Sequence, residues 1–219
     1  MHSNKKTRLA SMAIAALLGA TALATVPASA DDAGFKAKAA GDILLRARGI
    51  YAVPRDHASV SAGGSVDVSN DLVPELDVSY FLTDNLALEL IAATTRHKVT
   101  WTPGGVNLGK VSLLPPTLTL QYHFMPKERL SPYVGAGLNY TFFYNEDAPG
   151  GGINSVDYKN HIGYALQAGV DYALSGPWSL NLDVKKIFLR TDVSVNGGAV
   201  TAKADLDPWI VGVGVGYRF

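Results

Sequence analysis

Apolar and polar residues alternate in segment after segment of this chain, and a period of two places one class on each face of a β-strand. Between Asp71 and Phe81, Leu72, Pro74, Leu76, Val78 and Tyr80 form one uncharged set, and Val73, Glu75, Asp77, Ser79 and Phe81 form the other. Leu118, Leu120, Tyr122 and Phe124 alternate with Thr117, Thr119, Gln121 and His123 in the same way. Further on, Ile162, Tyr164, Leu166, Ala168, Val170 and Tyr172 alternate with His161, Gly163, Ala165, Gln167, Gly169 and Asp171. The pattern predicts eight strands, at 42–53, 71–81, 85–97, 113–125, 131–145, 158–174, 177–190 and 205–219.

The connections between these segments alternate in length. Long ones at 54–70, 98–112, 146–157 and 191–204 carry Gly63-Gly64, Gly104-Gly105, Gly150-Gly151-Gly152 and Asn196-Gly197-Gly198. Short ones are Leu82-Thr83-Asp84, the stretch from Pro126 to Leu130, and Ser175-Gly176. An even strand number with long loops on one side and short turns on the other is the plan of an all-β, eight-stranded antiparallel up-and-down transmembrane β-barrel. A soluble barrel of the lipocalin kind has the same periodicity with the opposite polarity, apolar inside and polar outside. Two features favour the membrane. The uncharged face carries aromatics near strand ends (Tyr51, Tyr80, Tyr122, Phe124, Tyr140, Tyr172, Trp178, Trp209, Tyr217 and Phe219), as an interfacial girdle would. The last strand reads Trp209, Val211, Val213, Val215, Tyr217, Phe219 at every second position, and this ending looks like the signal that outer-membrane barrel assembly machinery reads at Phe219. A cation on the lipid face at the midplane costs about 2–4 kcal/mol. Lys186 is the exception on the outward set, late enough in its strand to reach an interface.

The first thirty residues read as an export signal. Lys5, Lys6 and Arg8 precede an apolar stretch from Leu9 to Val26, and Ala28-Ser29-Ala30 supplies the small residues of a cleavage site. Cleavage after Ala30 is expected, leaving 31–219 as the barrel in the cell outer membrane, surrounded by its lipid. The whole chain has 219 residues with 19 Lys+Arg against 19 Asp+Glu and no cysteine, which argues against a disulfide-stapled mini-protein and a thiolate metal site. Without a basic cluster there is no electrostatic reason to expect nucleic acid as a partner.

Several stretches resemble the outer membrane protein W (OmpW) family. They are Ala40-Gly41-Asp42 followed by Leu45-Arg46-Ala47-Arg48-Gly49, Leu82 to Glu89, Leu114-Pro115-Pro116-Thr117, Pro132 to Tyr140, Trp178-Ser179-Leu180, and Asp205-Leu206-Asp207-Pro208-Trp209. The resemblance implies an eight-stranded outer-membrane barrel with a narrow hydrophobic channel that admits small hydrophobic molecules.

An eight-stranded barrel is just wide enough to be filled by side chains or to hold one small ligand. With odd strands running outward, the inward residues of the periplasmic half include Arg46, Arg48, Glu75, Asp77, Glu89, Asp171, Asp183, Lys185 and Arg218, with Gln121, His123, Gln167 and Asn181. Charges of both signs in so small a space are expected to pair into a plug. The inward residues of the outer half are Ile50, Val73, Ile91, Phe143, Ile187, Leu189 and Ile210, a pocket suited to a small hydrophobic solute. Above a closed plug the low-energy exit is sideways through the wall. Pro74, Pro115, Pro116 and Pro208 are candidate weak points because proline donates no ladder hydrogen bond, with Pro74, inside a strand, the most telling. A structural or adhesive barrel with a packed lumen and binding loops is the alternative function.

Other chemistry has less support. The five histidines show no metal-ligand spacing, so neither a metal nor a cofactor is expected. Asp56, His57, Ser59 and Ser61 superficially resemble an orienter, base and nucleophile, but a flexible loop holds such groups poorly. The expectation is a protein without catalytic residues.

Overall fold

A computed structural model describes residues 34–54, 57–102 and 105–219, with 57–59 described by their backbone. The expected export signal at 1–30 lies outside the described residues. In chain order the strands are β1 (Ile43–Val53), β2 (His57–Val60), β3 (Ser65–Val68), β4 (Asp71–Phe81), β5 (Leu86–Ala93), β6 (Thr95–Thr102), β7 (Val106–Leu114) and β8 (Thr117–His123). They continue with β9 (Leu130–Asp147), β10 (Val156–Tyr158), β11 (His161–Ala173), β12 (Trp178–Phe188), β13 (Arg190–Val195), β14 (Val200–Asp205) and β15 (Trp209–Arg218).

Eight of these close an antiparallel barrel in the order β1, β4, β5, β8, β9, β11, β12, β15 and back to β1. Side chains alternate across its wall. Along β1, Leu44, Arg46, Arg48, Ile50 and Ala52 are buried while Leu45, Ala47, Gly49 and Tyr51 are exposed. The outer surface is a continuous apolar band, with Leu72 72% and Leu138 66% exposed, values that suit lipid contact rather than water. Aromatic pairs edge this band near the short turns, including Tyr122 with Phe124 and Trp178 with Tyr217. Lys186 lies near the opposite end, where its ammonium donates to the Asp207 carbonyl and sits 5.4 Å from the Trp209 ring centroid. That position explains how a cation is tolerated on this face.

The connections expected as long loops are largely strands, which corrects the sequence reading. β6 and β7 form a hairpin that pairs on to the outer part of β9, and β3 pairs with β6. A second sheet runs β10, β13, β14, β2. The expected strand 85–97 divides at Thr94 and the expected strand 113–125 divides at Pro115-Pro116, where two fixed φ angles and two missing N–H groups interrupt the ladder. These rim strands raise the wall beyond the barrel and enclose its apolar core, formed by Ile50, Val99, Val111, Leu113, Ile187, Leu189 and Ile210 among others.

Glycine is needed at several close contacts, and one of them shapes the lumen. Tyr133 on β9 faces Gly169 on β11 in the ladder, and a side chain at 169 would collide with the Tyr133 ring and hydroxyl. The missing Cβ lets the tyrosine lie across the lumen.

Candidate functional site

The half of the lumen nearer the short turns is filled by an ion-paired network. Ladder register sets Arg46 opposite Asp77 and Arg48 opposite Glu75 on neighbouring strands. Arg46 Nε lies 2.8 Å from Asp77 Oδ1, and its Nη2 lies 2.5 Å from Glu89 Oε1. Arg48 Nε lies 2.8 Å from Glu75 Oε1, and its Nη2 lies 2.7 Å from Asp77 Oδ2. Lys185 Nζ closes the upper layer, 2.6 Å from Glu75 Oε1 and 3.2 Å from Asp183 Oδ1. Neutral groups add to the network: Thr119 donates to Glu89 Oε2, and Tyr133 and Gln167 both donate to Asp183 Oδ2, while Asp77 Oδ2 and Asp183 Oδ1 have only their ion-pair contacts to Arg48 and Lys185. Low local polarity makes each of these contacts strong and each omission costly.

One cation of this network comes from outside the barrel strands. Lys38 precedes β1, yet its ammonium is buried 2.8 Å from Asp171 Oδ2 and donates to Ser131 Oγ at 2.9 Å and to His123 Nδ1 at 2.8 Å. Arg218, expected in the plug, stands apart at the mouth, with Nε 3.7 Å from Asp42 and Nη2 donating to the Lys36 carbonyl. It is the last residue of the last strand, one turn of the pleat too low to reach the network.

The lumen changes character within one step of the pleat. On β1 Arg48 is followed inward by Ile50, on β12 Lys185 by Ile187, and on β4 Glu75 gives way to Val73. Above this level lies a cavity of about 410 Å³ whose lining is mostly apolar. That volume falls in the range of small-molecule sites. Of the residues read as the solute pocket, Phe143, Ile187, Leu189 and Ile210 line it. Ile50 and Val73 pack in the core beside it without lining it, and Ile91 is buried outside both groups. Val99, Val111 and Leu113 of the rim hairpin line it too. Their own alternation along Thr95–Trp101 and Val106–Leu113 was the available signal. Phe143 stacks on Tyr158 at 5.5 Å between centroids, and burial, aided by the Glu146 carboxylate, pushes the Tyr158 phenol pKa up.

Two breaks in the wall flank this cavity level. The β4–β5 ladder starts at Glu75↔Ala93, so Leu72, Val73 and Pro74 have no β5 partner; the next link is Arg96 N donating to Asp71 Oδ2 at 2.8 Å. The β5–β8 ladder ends at Ile91↔Thr117, and the β6–β7 ladder resumes at Thr95↔Leu113. Among the described residues no ladder pair joins 92–94 to 114–116. Pro115 and Pro116 are held instead to β9, their carbonyls accepting from Asn139 Nδ2 and the Tyr140 N–H. Pro115 and Pro208 line the cavity and Pro74 does not. At Pro208 the wall is bridged, because Ile187 N donates to its carbonyl.

Of the residues that superficially suggested catalysis, Asp56 lies outside the described residues, as do the side chains of His57 and Ser59. Ser61 accepts from Thr201 N.

A closed eight-stranded barrel with an apolar outer band and a charged, paired interior is an outer-membrane β-barrel. The chain belongs to the OmpW family, whose model matches residues 39–219. It is similar to the outer-membrane protein y4mB of Sinorhizobium fredii, 46% identical over 80% of this chain and 79% of that protein. The dibenzothiophene metabolism operon protein PahQ of Pseudomonas aeruginosa is 32% identical over 72% of this chain and 76% of its own. The crystal structure of the outer membrane protein OprG from Pseudomonas aeruginosa superposes with a TM-score of 0.80 at 29% identity, covering 84% of this chain and 98% of OprG.

Proposed function

We propose that this barrel passes small apolar solutes from outside the cell into the hydrocarbon of the outer membrane. The observation that carries the reading is an apolar cavity seated directly on an ion-paired floor. A solute desolvated in the cavity meets, below Ile187 and Ile210, a layer of charges that it could not separate without breaking several buried pairs. The wall beside the cavity is a lower barrier. At Pro115-Pro116 the segment is tied to β9 and carries no ladder to β5, so a small shift there opens the cavity to lipid. Pro74 marks a second interruption, farther from the cavity lining. The relationship to PahQ, whose name ties it to dibenzothiophene metabolism, supports an apolar, partly aromatic solute class.

In this account the protein is exported with cleavage after Ala30, assembles as a barrel over 31–219 with Phe219 as its assembly signal, and has no catalytic role. Ile50, Val73 and Ile91 support the cavity rather than touch the solute. The test is transfer of a labelled apolar solute into lipid vesicles that contain the barrel. Phe143→Asp, which puts a carboxylate on the cavity wall, should lower the protein-dependent rate at least about tenfold, given the cost of stranding an unpaired charge. An unchanged rate in a folded variant would remove the cavity from the route.

A further inference from the structure

We infer that the cavity prefers apolar solutes carrying a hydrogen-bond donor, such as an alcohol, phenol or N–H heterocycle, over ethers and ketones of the same shape, and that Thr95 is the residue that selects them. This rests on the reading of the cavity as the solute site. His97 and Thr95 are buried on β6 and both line the cavity. His97 Nδ1 lies 2.6 Å from the Ser69 carbonyl oxygen, which only accepts, so the ring proton sits on Nδ1. In the neutral form of the ring Nε2 is then the acceptor, and Thr95 Oγ1, 3.0 Å away, donates to it. The Thr95 oxygen is left with acceptor capacity alone.

The same polarity recurs on the other walls. Thr191, buried and lining the cavity, donates its hydroxyl to the Lys159 carbonyl at 2.9 Å. Trp101 donates its indole N–H to the Gly63 carbonyl at 2.9 Å. With these donors engaged inside the protein, a solute O–H or N–H finds a lone pair at Thr95. An ether oxygen there faces another lone pair, and both are desolvated without a partner.

The test uses the full barrel in lipid nanodiscs with Trp178→Phe and Trp209→Phe, which leave Trp101 as the single tryptophan. Trp101 fluorescence reports binding of two isomeric probes, 1-octanol and heptyl methyl ether. The affinity ratio of alcohol to ether is compared between this background and the same protein carrying Thr95→Val with His97→Phe, which removes the Thr95 acceptor without uncovering His97 Nε2 in its place, so that partition into lipid cancels. The inference expects the ratio to fall about three- to tenfold in that double variant, the size of one net hydrogen bond. It also expects the ratio to be kept in Thr95→Ser and in Tyr158→Phe. Equal ratios with and without the Thr95 hydroxyl, or a ratio lost in Tyr158→Phe instead, would overturn the inference while leaving the cavity a solute site. Binding of neither probe would overturn the cavity reading itself, and this preference with it.

Discussion

Lys38 Nζ lies 2.8 Å from Asp171 Oδ2, joining a segment ahead of the first strand to the sixth strand of the wall. Both side chains are almost fully buried, so the contact ties the N-terminal segment into the lumen floor. Lys38→Met should leave Asp171 with Arg46, 3.3 Å away, and the neutral donor Asn181 at 2.8 Å, and lower stability by about 3 kcal/mol, the usual loss when one partner of a buried pair is removed. Urea unfolding of the barrel in lipid vesicles measures it. Adding Asp171→Asn to Lys38→Met should recover a large part of the loss.

The outer surface makes a separate prediction. Leu120 is half exposed at the middle of β8, facing lipid. Leu120→Arg should cost about 2–4 kcal/mol in the same unfolding assay. Lys186→Leu should shift stability by less than about 1 kcal/mol, since the ammonium already reaches the interface and is not stranded in hydrocarbon. Equal effects at the two positions would mean the apolar face does not meet the bilayer as described.

Ile187 and Ile91 are both buried and both inward, but only Ile187 lines the cavity. Ile187→Ala should change the affinity of the cavity for an apolar probe at least about threefold, because it removes methyl groups from the contact surface. Ile91→Ala should leave that affinity unchanged while destabilising the barrel by about 2–5 kcal/mol, as for other truncations in a packed interior. Probe titration and urea unfolding of the two variants separate the roles.

Strand polarity was legible because its cause is local. Leu118 to Phe124 alternate without a break, and a strand with lipid on one side and a packed lumen on the other has no other arrangement. The floor and the cavity were legible for the same reason: Arg48 and Ile50 are two residues apart on the inner face, so the change from charge to hydrocarbon is written along β1 itself. Lys38 left no trace in the pattern. It belongs to no strand, and only the folded path of residues 36–42 brings it beneath Asp171. The rim strands were hidden by glycines: Gly104-Gly105 and Gly197-Gly198 look like the middles of long loops, whereas in the fold Gly105, Gly197 and Gly198 have positive φ where paired strands turn back. Val99 and Val111 were therefore missed as cavity residues. Pro74 drew attention because it sits inside a strand, but Pro115 is the proline that touches the cavity, and that proximity depends on how β7 leans on β9.

Sideways release through the wall is the central claim, and closing the break at Pro115-Pro116 addresses it most directly. Pro115→Val with Pro116→Val restores two backbone donors where the β5 side of the ladder is missing. The measurement is the rate at which a labelled apolar solute enters the bilayer of barrel-containing vesicles, set beside its equilibrium affinity for the cavity. The account predicts a rate reduced about tenfold with affinity unchanged within twofold. A folded double variant that transfers solute as fast as the parent, or a parent that delivers solute to the vesicle interior instead of the bilayer, would contradict it.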